Sequence, residues 1–211
     1  MIELYTWGTP NGYKVAMLLE ALEVPYKVFP IDINQNEAHK QNEKFVRITG
    51  GNGRIPGIVD TDNDNFTVFE SAACCLYLAR KYNKFLPSDP KLLSEVEQWC
   101  MFQMAGVGPM YGQWNHFRQR DNEDVKNYGM KRYGDEGKRL SMVLNNRLEG
   151  RDYLVGNKLT VADFVMYPWV KLMGGIMSRE HKNVQRWGAK CEEHPAFKKG
   201  MTIGKEPYSK L

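Results

Sequence analysis

Four groups of side chains have types and spacings that invite chemistry: the cysteines, the histidines, an acid–serine pair and a Thr-Pro-Asn-Gly turn. Cys74, Cys75, Cys100 and Cys191 form no C-x-x-C, the spacing that a zinc knuckle or a dithiol redox motif needs. Cys74 and Cys75 fall inside an expected helix and read as small core residues. His116, His181 and His194 have no metal-ligand spacing, so no metal is expected. Glu70-Ser71 stands where a helix opens, and a serine there caps orphan backbone N–H groups. Thr9-Pro10-Asn11-Gly12 opens another helix, with Thr9 as the N-cap and Pro10 at the first helical position, where a missing N–H costs nothing.

The elements that must position these residues follow from the periodicity. Ile2 to Thr6 alternates as a short strand, and Gly8 to Gly12 punctuates its end. Val15, Leu18, Leu19 and Leu22 then lie on one helix face, and Tyr26 to Ile33 reads as a second strand, which makes a right-handed βαβ unit. A polar segment holding Phe45, Val46 and Ile48 leads through Gly50-Gly51-Asn52-Gly53 to Arg54-Ile55-Pro56 and a third strand. The Asp- and Asn-dense turn at 61–65 and the strand Phe66 to Phe69 complete a hairpin, and a helix carrying Leu76, Leu78 and Ala79 follows. From about residue 91 only helical stretches are found, near 91–118, 123–149, 160–174 and 181–194. Thr160 and Asp163 are spaced as a capping box, with Leu159 as a staple onto Phe164. With Asn83 to Pro90 as linker, the expected fold is an α/β domain over 1–83, ordered βαβ-α-ββα, and an all-α domain over 91–211.

The bulk composition fits a soluble protein. Of 211 residues, 42% are hydrophobic and 26% charged, and the net charge of +4 comes from scattered Lys and Arg. No basic run is dense enough to track a phosphate backbone, and no stretch of about 18 apolar residues occurs, so neither nucleic acid nor membrane is an expected partner. The absence of an exported-type leader and the unpaired cysteines point to the cytoplasm, while Ser209-Lys210-Leu211 matches a peroxisomal address.

The order βαβ then ββα, with a proline opening the third strand, resembles the thioredoxin fold, and the helical extension makes the chain similar to the glutathione S-transferases. The resemblance spans nearly the whole chain. It implies that Ile55-Pro56 is a cis-proline turn whose Ile55 backbone pairs with the peptide glutathione as an added strand. It also implies that Ser71 and the helix N–H groups hold the γ-glutamyl carboxylate, with Glu70 taking the ammonium. Ser71 on its own reads as a cap; Arg54-Ile55-Pro56 ahead of it turns the balance towards the ligand. The capping-box helix is a family marker with a structural role.

Class depends on what meets the glutathione sulfur at the first helix N-terminus. No cysteine stands in that loop, so no protein–glutathione disulfide is expected there. Thr9-Pro10-Asn11-Gly12-Tyr13-Lys14-Val15, Gly108-Pro109-Met110-Tyr111-Gly112-Gln113 and Arg132-Tyr133 instead resemble the nu class, which includes bacterial disulfide-bond oxidoreductases and fungal nitrogen-regulator-like proteins. That resemblance implies that Asn11, with Thr9 second, faces the sulfur, and that Arg132 reaches the partner subunit's glutathione in a homodimer. Tyr5 and Tyr13 are assigned packing or surface roles. For the glycine end of the ligand, Lys40 and Arg54 are candidates by position, with His39 as substitute for Lys40.

The function expected is a glutathione-dependent transferase or thiol–disulfide oxidoreductase, with reduced or oxidised glutathione as co-substrate and a small disulfide or electrophile as second substrate. The alternatives are a non-catalytic glutathione-binding regulator and a ligandin.

Overall fold

The structure of the chain is a computed structural model that describes residues 1–34, 42–177 and 179–210. The chain divides into two compact units, Met1–Leu86 with His194–Leu211, and Pro87–Glu193.

The first unit is built on a five-stranded sheet. In chain order it contains β1 (Ile2–Thr6), α1 (Pro10–Leu22), β2 (Tyr26–Pro30), α2 (Glu43–Ile48), β3 (Gly57–Asp60), β4 (Phe66–Phe69) and α3 (Ser71–Lys81). The strand order is β4-β3-β1-β2-β5, where β5 is Tyr208–Lys210 near the far end of the chain. Among the described residues only β1 and β2 pair parallel, with Ile2 opposite Tyr26 and Leu4 opposite Val28; β3, β4 and β5 all pair antiparallel. This is the expected βαβ-α-ββα order with one strand added.

Side-chain alternation explains why both faces of the sheet are covered. Tyr5 and Val59 pack on one face with Ile31, Phe45 and Ile48. The stripe Val15, Leu18, Leu19 and Leu22 is buried on α1 as the spacing predicts, and α3 buries Cys74, Cys75 and Leu78. Asp60 closes β3 as a buried carboxylate, accepting from Tyr77 Oη at 2.6 Å and from Lys81 Nζ at 2.6 Å. Burial pushes the Asp60 pKa up, but Lys81 and Tyr77 outweigh that and hold it below the usual carboxylate range.

The expectation that everything after residue 91 is one all-α domain needs correction at its end. Residues from His194 onward belong to the first unit. There α9 (Pro195–Gly200), capped by the His194 ring accepting from Ala196 N–H, packs on α1. β5 then pairs with the open edge of β2, and Lys210 forms an ion pair with Glu20 at 3.3 Å. A free parallel-sheet edge and an apolar helix face attract this segment back, and neither is visible in local periodicity.

The second unit is helical: α4 (Pro90–Phe102), a π-helical turn over Gln103–Val107, α5 (Gly108–Arg118), α6 (Glu123–Arg147), α7 (Val161–Met177) and α8 (Lys182–Glu192). Its buried keystone is Asp163, whose carboxylate accepts from Leu154 N–H at 3.0 Å, Thr160 N–H at 2.9 Å, Thr160 Oγ1 at 3.1 Å and Trp187 Nε1 at 2.9 Å. Half of the expected capping box is therefore formed, because Asp163 reaches back to Thr160 N–H as the motif requires. The other half differs, since the Thr160 hydroxyl donates to Asp163 rather than accepting from its backbone.

Candidate functional site

Two helix N-termini and one loop carry the candidate residues of the first unit. β1 ends at a turn in which Thr9 N–H donates to Trp7 C=O at 2.8 Å. Thr9 is extended, with φ −130° and ψ 164°, and its hydroxyl accepts from Gly12 N–H at 3.5 Å, so it caps α1 as its type predicts. Pro10 follows at the first helical position, and no acidic residue stands in the first turn. The positive end of α1 is thus not neutralised by its own carboxylates. Asn11 is half-buried there. Gly12 is required, because a Cβ at that position would sit 2.2 Å from Trp7 C=O and 2.4 Å from Thr6 Oγ1.

The loop before β3 is pinned from below by a residue that the sequence did not single out. Buried Thr49 donates its hydroxyl to Phe45 C=O at 2.9 Å and accepts from Gly53 N–H at 3.0 Å. Gly53, at φ +62°, then turns the chain into Arg54-Ile55-Pro56, and the Ile55–Pro56 bond is cis. The ladder of β3 begins at Gly57, so the N–H and C=O of half-buried Ile55 stand outside it, and Arg54 is exposed. That leaves a short extended edge able to pair with an extended peptide.

Between β4 and α3, Glu70 adopts φ +68° and ψ 118° with an exposed side chain and no side-chain cap bond. A glutamate held at positive φ costs about 1–3 kcal/mol, and such positions cluster where a ligand or catalytic group is held. Ser71 starts α3 with only 2% exposure. Its hydroxyl oxygen accepts from Lys14 Nζ at 3.1 Å, and Lys14 itself is fully buried. Lys14 is the second residue missed by the sequence analysis. Its spacing was the available signal: four before Leu18 and seven before Ala21, on the buried stripe of α1.

The other candidates are placed as follows. Lys40 and His39 lie outside the described residues. Arg132 lies in the second unit, exposed on the α6 face that also carries Tyr128 and Glu136. All four cysteines are buried, and burial pushes the thiols of Cys74 and Cys191 well above the ordinary range, with Glu70 and Asp163 respectively adding to it. Among the described residues no cluster of three metal-ligating side chains occurs. Tyr5 stacks on Phe29 at 4.8 Å and donates its hydroxyl to Glu3 at 2.7 Å, a packing role. Tyr13 is half-buried, and its hydroxyl lies 3.2 Å from where a Cβ on Gly8 would be.

A mixed thioredoxin-like sheet, a cis Ile-Pro turn, an acid–serine pair at a helix start and a helical second unit define a fold of the glutathione-binding kind. The chain belongs to the glutathione S-transferase superfamily, on its nu-like branch: residues 1–80 match the glutathione S-transferase N-terminal domain and residues 118–197 the C-terminal domain. It is 34% identical over 202 residues to the disulfide-bond oxidoreductase YfcG of Escherichia coli, covering 93% of this chain and 92% of that protein. A glutathione transferase from Burkholderia graminis, solved with two glutathione molecules per subunit, superposes with a TM-score of 0.88 at 34% identity, over 97% of this chain and 89% of that one. A glutathione transferase from Pseudomonas putida, solved with one glutathione disulfide per subunit, gives 0.85 at 31% identity, over 96% and 91%.

Proposed function

We propose that this protein is a glutathione-dependent thiol–disulfide oxidoreductase and transferase in which bound glutathione supplies the reactive sulfur. One observation carries the proposal: every cysteine is buried, while the helix start expected to face the sulfur carries Thr9, Asn11 and the positive end of α1, with no acidic residue in its first turn. A thiol must then arrive with the ligand. In this reading the glutathione cysteine pairs with the Ile55 backbone, Ser71 and the first amides of α3 take the γ-glutamyl carboxylate, and Glu70 takes the ammonium. Arg54 and Lys40 take the glycine carboxylate. Arg132 acts across a homodimer, on the glutathione of the partner subunit.

The chemistry balances with two glutathiones. The first thiolate attacks one sulfur of a small disulfide, forming a mixed disulfide and expelling the other sulfur as a thiolate that takes a proton. The second attacks the glutathione sulfur of that mixed disulfide, giving oxidised glutathione and the second reduced thiol. Keeping the first sulfur ionised at neutral pH requires lowering an ordinary thiol pKa by about 1.5–2 units, or roughly 2–3 kcal/mol. One hydrogen bond from Asn11 to the thiolate and the unneutralised end of α1 are of that size.

Glutathione-dependent reduction of 2-hydroxyethyl disulfide by the purified protein tests the activity, and Asn11→Ala should lower kcat/KM about tenfold to hundredfold. Unchanged turnover in that variant removes Asn11 from the sulfur. Conjugation of a chloronitrobenzene proceeding far faster than disulfide reduction would make electrophile transfer the main reaction. Light scattering on the same preparation reads the dimer, which Arg132 needs in order to act. Four reduced thiols suit a reducing compartment such as the cytoplasm.

A further inference from the structure

We propose that Lys14 is a positioning residue for the glutathione site, a buried positive charge behind Ser71 that makes the site specific for a carboxylate. The inference rests on the glutathione reading above. Lys14 is fully buried on α1, and its ammonium lies 3.1 Å from the hydroxyl oxygen of Ser71, which is itself 2% exposed at the first residue of α3. An ammonium only donates, so the serine oxygen is the acceptor in this pair, and the hydroxyl proton is directed away from Lys14. An anion bound to Ser71 at an ordinary charge-assisted distance of about 2.7 Å would therefore lie no more than about 6 Å from Nζ.

Three positive sources then converge on one small volume. They are the Lys14 ammonium, the start of α3, whose first turn carries no acidic residue, and the serine O–H dipole. A buried lysine is costly to keep charged, and the penalty falls when an anion arrives. The pair would thus recognise a carboxylate and discriminate against a neutral group of the same shape. In glutathione that carboxylate is the one on the γ-glutamyl α-carbon. Lys14 would not touch the ligand and would act through Ser71.

Calorimetric titration of two peptides tests this. One is glutathione, and the other is 4-aminobutanoyl-cysteinylglycine, which lacks only the γ-glutamyl α-carboxylate. The unmodified protein should prefer glutathione by at least about tenfold. Lys14→Met should weaken glutathione binding about tenfold to hundredfold and shift the other peptide less than about threefold, so that the preference collapses. Lys14→Gln, which keeps a polar partner for Ser71 but no charge, should show the same collapse and decides the matter if the methionine variant does not fold. A folded variant that loses both peptides equally, or keeps the wild-type preference, overturns the role of Lys14. An unmodified protein that binds neither peptide overturns instead the glutathione reading on which it rests.

Discussion

Substituting Gly12 with alanine separates the turn proposed to face the sulfur from the rest of the site. The new Cβ would stand 2.2 Å from Trp7 C=O and 2.4 Å from Thr6 Oγ1, where carbon needs about 3.5 Å. Trp7 C=O is a poor candidate for simple rotation, because it accepts from Thr9 N–H at 2.8 Å. The Trp7–Thr9 turn must therefore withdraw by about 1 Å from the first turn of α1. Overpacking of this kind costs about 1–3 kcal/mol, offset by the roughly 0.5–1 kcal/mol that alanine gains over glycine in a helix. The fold should survive, but a displacement of about 1 Å between positioned groups lowers turnover about 100-fold. Gly200→Ala is the control, since its Cβ would meet the Met17 backbone at 2.5 Å and overpack α1 away from the turn. Glutathione-dependent disulfide reduction and thermal melting, measured on both variants, give the comparison. Gly12→Ala should lose turnover out of proportion to its melting temperature, and Gly200→Ala should lose mainly stability. Wild-type turnover in Gly12→Ala, or an equal loss in Gly200→Ala, refutes the assignment of the sulfur to this turn.

Asp60 predicts an acid limb of stability. Its folded pKa lies below the unfolded value of about 3.9, so its contribution is present above that value and is lost as pH falls through the folded one. Urea midpoints measured from pH 6 to pH 2.5 should fall less steeply in Asp60→Asn than in the parent; parallel curves would exclude Asp60 as a source. Asp163→Ala strands Trp187 Nε1, Leu154 N–H and Thr160 N–H in the core of the second unit and should cost roughly 3–5 kcal/mol by urea denaturation. A loss below about 1 kcal/mol would show that water replaces the carboxylate. Thr49→Val keeps shape but removes the hydroxyl that bonds Gly53 N–H and Phe45 C=O, and should raise KM for glutathione several-fold with kcat changed less. An unchanged KM would mean that the Arg54-Ile55-Pro56 loop does not depend on Thr49.

What could be seen in the sequence was whatever local chemistry decides. Thr9 and Pro10 announce a helix start because side-chain capping and a fixed φ act within four residues, and α1 begins there. The stripe Val15, Leu18, Leu19 and Leu22 is buried for the same local reason. Features decided by tertiary structure were hidden. β5 is three residues long, too short to show alternation, and forms because β2 has an open edge. Lys14 has the spacing of the buried face of α1, but its partner Ser71 is brought beside it only when α3 packs there. Glu70 gives no sign of positive φ, since glycine or asparagine is the usual marker of that region. The π-helical turn at Gln103–Val107 has no periodic signature distinct from the helices around it.

The return of residues 194–210 to the first unit has a consequence for the order in which a ribosome can deliver this molecule. Synthesis presents β1 to α3 first, yet β2 keeps an unpaired edge and α1 keeps Met17 uncovered until β5 and Gly200 emerge more than a hundred residues later. At about 5–20 residues per second that interval lasts roughly 6–25 s. An exposed strand edge over such a time is a template for pairing with another nascent chain. The helical unit, continuous in the chain, can finish while the half that carries the proposed glutathione site is still waiting for its last strand. Expression of 1–86 alone should therefore yield an aggregation-prone fragment, while a circular permutant that joins the two ends and opens in the 83–90 linker would hand the whole sheet over as one stretch.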